Sequence, residues 1–187
     1  RKGLITGALA FLTAFSNTAA WAHPHVFIYA AVDVVFDEKG LAGFQLRWLF
    51  DEMFSSTIFL DFDRNGNKSF EPPEIEKLKA GAFANLRHFD YFTHIKINGR
   101  KFKVQFVKDF SAAIEKDRLV YQFFVPCHVS ALETFKEIQL SVYDHTFYCS
   151  VFWVDHPVAY QNHAPYAVEH RIARNKAEAY YYGQIYP

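Results

Sequence analysis

The clearest hydrophobic pattern in the chain is an alternation that begins at Val26. Over residues 26–36 apolar and polar positions loosely alternate, which is typical of a strand with one buried face. A polar turn at residues 37–40 follows, and a second apolar run covers residues 41–50. Two such runs joined by a short turn that contains glycine predict a β-hairpin.

Helical spacing replaces the alternation after residue 50. Asp51 can cap a helix of about three turns, whose apolar side carries Met53, Phe54, Ile58 and Phe62. A second helix is predicted from residue 73 to residue 89, with a buried stripe consisting of Ile75, Leu78, Ala82, Leu86 and Phe89. Together they predict a helix-loop-helix over residues 51–90.

From His94 onward the pattern predicts a meander of short strands. Apolar runs cover residues 95–98, 101–107, 119–126, 138–143 and 147–154. Asn98-Gly99 between two of these runs is a strong hairpin signal. The predicted fold class is therefore α+β: an antiparallel sheet, made of the N-terminal hairpin and the C-terminal meander, with an inserted EF-hand-like helix-loop-helix.

The polar loop between the two predicted helices has the spacing of a calcium site. Calcium takes six to eight oxygen ligands, which a twelve-residue loop supplies from positions one, three, five, seven, nine and twelve. A register that starts at Asp61 places Gly66 at the turn but Pro72 where a bidentate carboxylate belongs. The preferred register provides Asp63, Asn65, Asn67, Ser69, Glu71 and Glu74. The alternative is a polar turn that binds nothing.

Residues 1–22 have the features of a cleaved secretion signal. Arg1 and Lys2 precede an apolar run at residues 4–15, and Ala20-x-Ala22 resembles a cleavage site. The apolar run is shorter than the roughly 20 residues that a membrane-spanning helix needs. We therefore expect a single periplasmic domain, residues 23–187, that is not membrane-spanning after cleavage.

Cleavage after Ala22 would place His23 and His25 beside a free terminal amine. Imidazole binds zinc, copper, nickel and cobalt, and residues two apart lie on the same side of a strand. Two imidazoles and an amine leave a fourth position, for water or for a carboxylate such as Asp51 or Glu52. The alternative is a frayed terminus with two solvated histidines.

The two cysteines of the chain and its later histidines allow several interpretations. Cys127 and Cys149 are the only cysteines, and export favours a disulfide between them, whereas the alternatives are two buried thiols or zinc ligands beside His128. Three later histidines, spaced by seven residues, fit exposed loops better than a second metal site: His156, His163 and His170.

Charge narrows the choice of partners. The chain has 20 basic and 20 acidic residues, and loss of Arg1 and Lys2 leaves the mature domain slightly acidic. Since no basic stripe is available to neutralise phosphates, the composition excludes a nucleic-acid partner.

Several of these motifs together resemble a known bacterial family. They are the His23-Pro24-His25-Val26-Phe27 start, Trp48-x-Phe50-Asp51-Glu52 with Ser55, residues 61–74, Tyr91-Phe92-Thr93-His94, Tyr143-Asp144 and Tyr182-Gly183-Gln184. The family consists of periplasmic proteins of unknown function, often labelled the periplasmic component of an uncharacterised ABC-type transport system. His145 and the two cysteines depart from its usual pattern, and it offers no catalytic residue to carry over.

The resemblance implies a role in metal uptake. Its members are similar to the periplasmic partners of nickel/cobalt-type permeases, with zinc acquisition as the implied role. We therefore expect a metal-binding accessory to an inner-membrane permease, with zinc, nickel or cobalt as the cargo. The alternatives are a calcium-stabilised structural adaptor and, less favoured, a copper enzyme with an N-terminal His chelate, for which the sequence offers no third ligand.

Overall fold

The computed structural model describes residues 24–132, 134–164 and 166–187. The predicted signal peptide and His23 lie outside these ranges. The strands are β1 (Val26–Asp37), β2 (Gly40–Phe50), β3 (Thr93–Ile97), β4 (Arg100–Phe102), β5 (Lys108–Glu115), β6 (Arg118–Ser130), β7 (Ile138–Val142) and β8 (Cys149–Gln161). The helices are α1 (Glu52–Phe62) and α2 (Pro72–Gly81), followed by a 3₁₀ segment (Phe83–Phe92). The predicted α+β class is confirmed.

Five strands form one sheet in the order β5-β6-β2-β1-β8. β1 and β2 form the predicted N-terminal hairpin, with Ile28 paired to Phe50. β8 lies parallel to β1, with Val26 opposite Cys149, so the prediction of a wholly antiparallel sheet is wrong at this edge. The chain reaches β8 only after passing through a second sheet, and such a long crossover permits a parallel pair.

The predicted meander is divided between two sheets. β4, β3 and β7 form a separate antiparallel sheet, in which Asn98 and Gly99 make the predicted hairpin turn with φ of 50° and 77°. The apolar and polar pattern does not predict β5. The strand is irregular at its start, since Asp109 has φ of 52° and a bulge lies between Lys108 and Ser111.

The hydrophobic core joins the five-stranded sheet to the helices. Trp48 of β2 and Phe123 of β6 are fully buried and meet edge to face, with ring centroids 4.8 Å apart. Ile58 of α1 and Leu78 of α2 belong to the same buried cluster. Burial of these helical residues fixes α1 and α2, and so the loop between them, against the sheet.

The helices follow the prediction at their start and depart from it later. Asp51 caps α1 as predicted, with Oδ1 accepting from the Phe54 N–H at 3.0 Å, although Met53 is exposed. α2 ends at Gly81, well before residue 89. The α-helix gives way there to the 3₁₀ segment, because Phe83 turns inward and stacks on Phe110 of β5, with ring centroids 4.0 Å apart. Among the described residues no helix is long and apolar enough to cross a membrane.

Cys127 and Cys149 are free thiols in this structure. Cys127 belongs to β6 and Cys149 to β8, and both β2 and β1 lie between those strands. Three strand spacings amount to roughly 14 Å, whereas a disulfide needs Cα atoms within about 7 Å. The disulfide considered from the sequence is therefore not formed, and the alternative of two free thiols fits the fold.

Candidate metal sites

The polar segment between α1 and α2 contains five of the six residues of the preferred calcium register, and the sixth, Glu74, lies in the first turn of α2. Asp63 is the C-cap of α1, and Glu71 is the N-cap of α2. Phe70 is buried and packs against Phe59 of α1, with ring centroids 6.1 Å apart. A single apolar anchor thus fixes an otherwise exposed loop.

Backbone N–H groups orient the side-chain oxygens at the start of this loop. Both carboxylate oxygens of Asp63 accept backbone N–H groups of the loop, at 3.0 Å each. The amide oxygen of Asn65 accepts the Asn67 N–H at 2.9 Å, and the amide oxygen of Asn67 accepts the Ser69 N–H at 2.8 Å. A carbonyl or carboxylate oxygen has two lone pairs, so each can accept an N–H and still face a cation.

The two glutamates close the loop at its other end. Glu74 accepts the Arg64 N–H at 3.0 Å with one oxygen and the Glu71 N–H at 3.2 Å with the other. The Glu71 carboxylate accepts side-chain N–H groups from Asn65 and Asn67. Hydrogen bonding with Glu74, and then with the Asn67 amide, holds the pKa of Glu71 below its ordinary value. Glu71 is therefore ionised at neutral pH, as a ligand to a cation must be.

Both registers meet the turn requirement, since Gly66, at position six of the Asp61 register, has φ of 68°. Lys68, at position six of the Asp63 register, has φ of 62°, which is the left-handed conformation that a sharp turn at this position needs. Asp61 lies inside α1, whereas Asp63 is its C-cap. Pro72, at position twelve of the Asp61 register, has no side-chain oxygen, whereas Glu74, at position twelve of the Asp63 register, is a carboxylate in the first turn of α2, so the Asp63 register is preferred. No three His, Cys, Asp or Glu side chains within the described ranges converge on one ion. Calcium bound here would therefore also need the amide and carbonyl oxygens of the loop.

The predicted transition-metal site can be described only in part, because His23 lies outside the described residues. His25 is exposed, its N–H donates to the Tyr148 carbonyl at 2.8 Å, and the two rings lie 5.1 Å apart. Asp51 accepts the Phe27 N–H at 2.7 Å and donates its own N–H to the Phe27 carbonyl at 2.9 Å. The Asp51 carboxylate thus lies beside Phe27 of β1, which is two residues after His25 in the chain. Glu52 is exposed on the first turn of α1.

The later histidines lie along β8 and after it. His156 is in β8 with φ of 53°. His163 and His170 both pack against Tyr160, with ring centroids 5.6 Å and 5.7 Å away, and the Tyr160 hydroxyl lies 2.5 Å from His170 Nδ1. His128 lies apart from them, with Nδ1 3.8 Å from an Asp37 carboxylate oxygen. The structure thus brings His163 and His170 together around one tyrosine.

A buried carboxylate holds the start of β8, a role that the sequence analysis did not assign to it. Asp144 is only 2% exposed. One of its oxygens accepts from both the N–H and the hydroxyl of Thr146, and the other accepts the Cys149 N–H at 3.0 Å. The Asp-x-Thr spacing is the available signal, since Asp commonly bonds the backbone two residues on. The turn places the Tyr148 carbonyl where it accepts the N–H of His25.

The fold and these sites describe an α+β protein with polar candidate cation sites at both ends of α1. The chain belongs to the family described as "Protein of unknown function (DUF1007)", whose model matches residues 8–183. The family match confirms that the chain belongs to a family of unknown function; the transport role remains a prediction.

Two relatives extend the comparison. An uncharacterized 15.5 kDa protein in the trpE 3' region of Spirochaeta aurantia is 33% identical over 131 residues, which cover 70% of this chain and 93% of that protein. An uncharacterized protein of Haemophilus influenzae is 27% identical over 141 residues, which cover 73% of this chain and 66% of that protein. No solved structure matches the chain.

Proposed function

We propose that residues 63–74 form an EF-hand-like calcium site and that the protein is a calcium-stabilised, metal-binding accessory domain. One observation carries the proposal: Asp63, Asn65 and Asn67 present oxygens already oriented by backbone N–H groups, while Lys68 adopts the turn conformation. Carboxylate, amide and backbone oxygens are the donors that calcium prefers. Only three of the side-chain ligands are acids, so the site suits a compartment where calcium is abundant.

Calorimetric titration of calcium into two matched variants tests the site and its register. Asp63→Asn removes a charged ligand from the proposed loop, whereas Asp61→Asn removes the same charge two residues earlier, inside α1. We expect calcium affinity to fall at least about tenfold for Asp63→Asn, because affinity follows ligand charge, and to stay unchanged for Asp61→Asn. The opposite result would establish the other register, and absence of binding by the unaltered protein would refute the site.

As a second function we propose the binding of zinc, nickel or cobalt by His23 and His25 in the periplasm, for delivery to an inner-membrane permease. The proposal is supported by the Asp51 carboxylate, which lies 2.7 Å from the Phe27 backbone N on β1, the strand that starts one residue after His25. Two imidazoles and the terminal amine would leave a fourth position, which water or the carboxylate of Asp51 or Glu52 would occupy in an exchangeable manner. An open position suits a carrier that must release its ion.

The test is zinc, cobalt and nickel calorimetry on mature protein at about pH 7.5, where imidazoles are mostly neutral. The double variant His23→Ala, His25→Ala should lose stoichiometric binding, whereas His163→Ala, His170→Ala is the matched control and should retain it. Affinity should also fall below about pH 6.5, because protons compete for imidazole. Retained binding by the first variant and loss by the second would transfer the site to the cluster around Tyr160.

A further inference from the structure

A polar cleft lies on the outer face of the small sheet, and none of its lining residues belongs to either candidate metal site. It has a volume of about 260 Å³. Its floor is formed by the residues of β3 that point away from the core, His94 and Lys96, together with their cross-strand neighbours Ser141 and Gln139 on β7. The segment that follows β8 contributes one wall of the cleft through Glu178.

Positive charge is concentrated on one side of this cleft. Lys96 of β3 lies directly opposite Lys101 of β4, and Lys103 also lines the cleft. Like charges directly opposite each other on neighbouring strands are destabilising. A nearby anion would remove that repulsion, and it would be held by two ammonium groups at once.

The structure places a carboxylate of the chain itself in this position. Glu178 lies 2.5 Å from Lys96 Nζ, and both side chains are mostly buried, with 31% and 24% exposed. The hydrogen bond to Lys96, with a further contribution from Lys101, lowers the pKa of Glu178. Lys96 therefore binds a carboxylate that Lys101 also attracts, and this carboxylate arrives from a segment 82 residues beyond Lys96 in the chain.

The segment that carries Glu178 crosses the cleft as a strap. Asn175 donates its side-chain N–H to Glu178 at 3.1 Å, and the Tyr180 ring packs on Tyr143 with centroids 4.6 Å apart. Tyr180 is also joined to Ile185 by a pair of backbone hydrogen bonds, which close a small turn. The strap is also held by Tyr180 and Tyr181, which both pack on Phe147. None of these three residues belongs to the buried core, so the strap can leave the cleft without disturbing the core.

Strained backbone lies at the opposite wall of the cleft. Asp90, Tyr91 and Phe92 are three consecutive non-glycine residues with φ of 50°, 51° and 52°. A left-handed conformation costs about 1–2 kcal/mol per residue, and such strain gathers at functional sites. This turn places Asp90 at the rim of the cleft and leads directly into His94.

His94 contributes polarity rather than charge. Its Nε2 lies 3.2 Å from the Tyr143 carbonyl, to which the Nε2–H donates, and the two rings stack at 4.0 Å. Burial lowers the pKa of His94, despite the opposing effect of that carbonyl. The positive charge of the cleft at neutral pH is therefore supplied by its lysines.

We infer that this cleft binds a small organic carboxylate and that Glu178 is a tethered occupant which the ligand displaces. The class follows from Lys96, which binds a carboxylate in the structure beside the positive charge of Lys101, and from the partly exposed ring of Phe102, which lines the cleft. An inorganic ion would leave this ring uncovered, whereas an organic acid can cover it.

Succinate titration followed by amide NMR tests the inference. Succinate should shift the amides of Lys96, Lys101 and Gln139 saturably in the unaltered protein. Glu178→Gln should tighten succinate binding about tenfold, because a competing internal ligand reduces the apparent affinity to the intrinsic affinity multiplied by the open fraction. Glu169→Gln, which removes a tail carboxylate outside the cleft lining, should leave it unchanged. Inorganic phosphate is the comparator and should bind more weakly than succinate.

Two lysine variants complete the test. Lys101→Gln should abolish succinate binding in the Glu178→Gln background, whereas the exposed Lys116→Gln is the matched control and should retain it. Failure of succinate to bind both the unaltered protein and Glu178→Gln would overturn the inference. Equal affinities for those two proteins would overturn the role of Glu178 as occupant, and tighter binding of phosphate would overturn the carboxylate class.

Discussion

Calcium should raise the melting temperature of this protein by an amount that its loop chemistry sets. Two of the five side-chain ligands are neutral amides, Asn65 and Asn67, which places the affinity near that of extracellular calcium modules, with Kd of about 10⁻⁴ M. At about 10 mM calcium, roughly 100 times that Kd, binding to the folded state stabilises it by about 2.7 kcal/mol. For a domain of this size the shift is about 5–10 °C.

Glu74→Gln should remove most of that shift. In the proposed loop Glu74 supplies two ligand oxygens at position twelve, and the amide of Gln supplies one without charge. The same change has a cost without calcium, since Glu74 accepts the N–H groups of Arg64 and Glu71 at 3.0 Å and 3.2 Å. Loss of one of these bonds costs about 1 kcal/mol. The informative quantity is therefore the calcium-dependent shift of each variant, not its absolute melting temperature.

The assay is thermal unfolding by circular dichroism with chelator and with calcium, and the matched control is Glu76→Gln. Glu76 is an exposed acid on α2, two residues after Glu74. The control should keep the full calcium shift while Glu74→Gln loses it. An identical calcium shift in both variants would show that position twelve is not a ligand and would refute the proposed register.

Three further predictions concern groups outside the loop. Because burial lowers the pKa of His94 from its ordinary value of 6.5, the unfolded chain binds the proton more readily. Folding stability should therefore be complete above about pH 6.5 and fall as the pH decreases below it, and His94→Gln should flatten this part of a melting profile. Burial raises the pKa of Cys127 to about 11 and, together with nearby carboxylates, that of Cys149 to about 12; iodoacetamide should react slowly with both at pH 8 until guanidinium unfolds the protein. The buried Ser55 hydroxyl accepts a backbone N–H near the start of β6 at 2.9 Å, so Ser55→Ala should cost about 1–3 kcal/mol in urea unfolding, whereas the exposed Ser56→Ala should cost little.

The features that could be predicted from the sequence are those set by neighbouring residues. The turn at Asn98-Gly99 and the cap at Asp51 depend on local dihedral preferences and on a hydrogen bond three residues away. The loop spacing from Asp63 to Glu74 is equally local. Each of these signals is complete within a dozen residues of sequence, so no tertiary contact is needed to recognise it.

The features that escaped prediction depend on pairing between distant parts of the chain. Nothing local to β8 indicates that Val26 will pair with Cys149 in parallel, and nothing local to Lys96 indicates that Glu178 will reach it. The prediction that the second helix extends to Phe89 was wrong for the same reason, because packing of Phe83 on β5 overrides the helical spacing of the apolar residues.

The two candidate metal sites lie at opposite ends of one short helix, and this geometry determines how far they can influence each other. Asp51, beside the strand of His25, caps the first turn of α1, and Asp63 ends its last turn. Eleven residues of helix span about 16 Å, which exceeds the Debye length of about 8 Å at physiological ionic strength. Direct electrostatic coupling between exposed ions at the two ends is therefore largely screened. Any coupling would have to pass through α1 itself, which is fixed to the core through Ile58, so removal of His23 and His25 should leave the calcium-dependent melting shift intact.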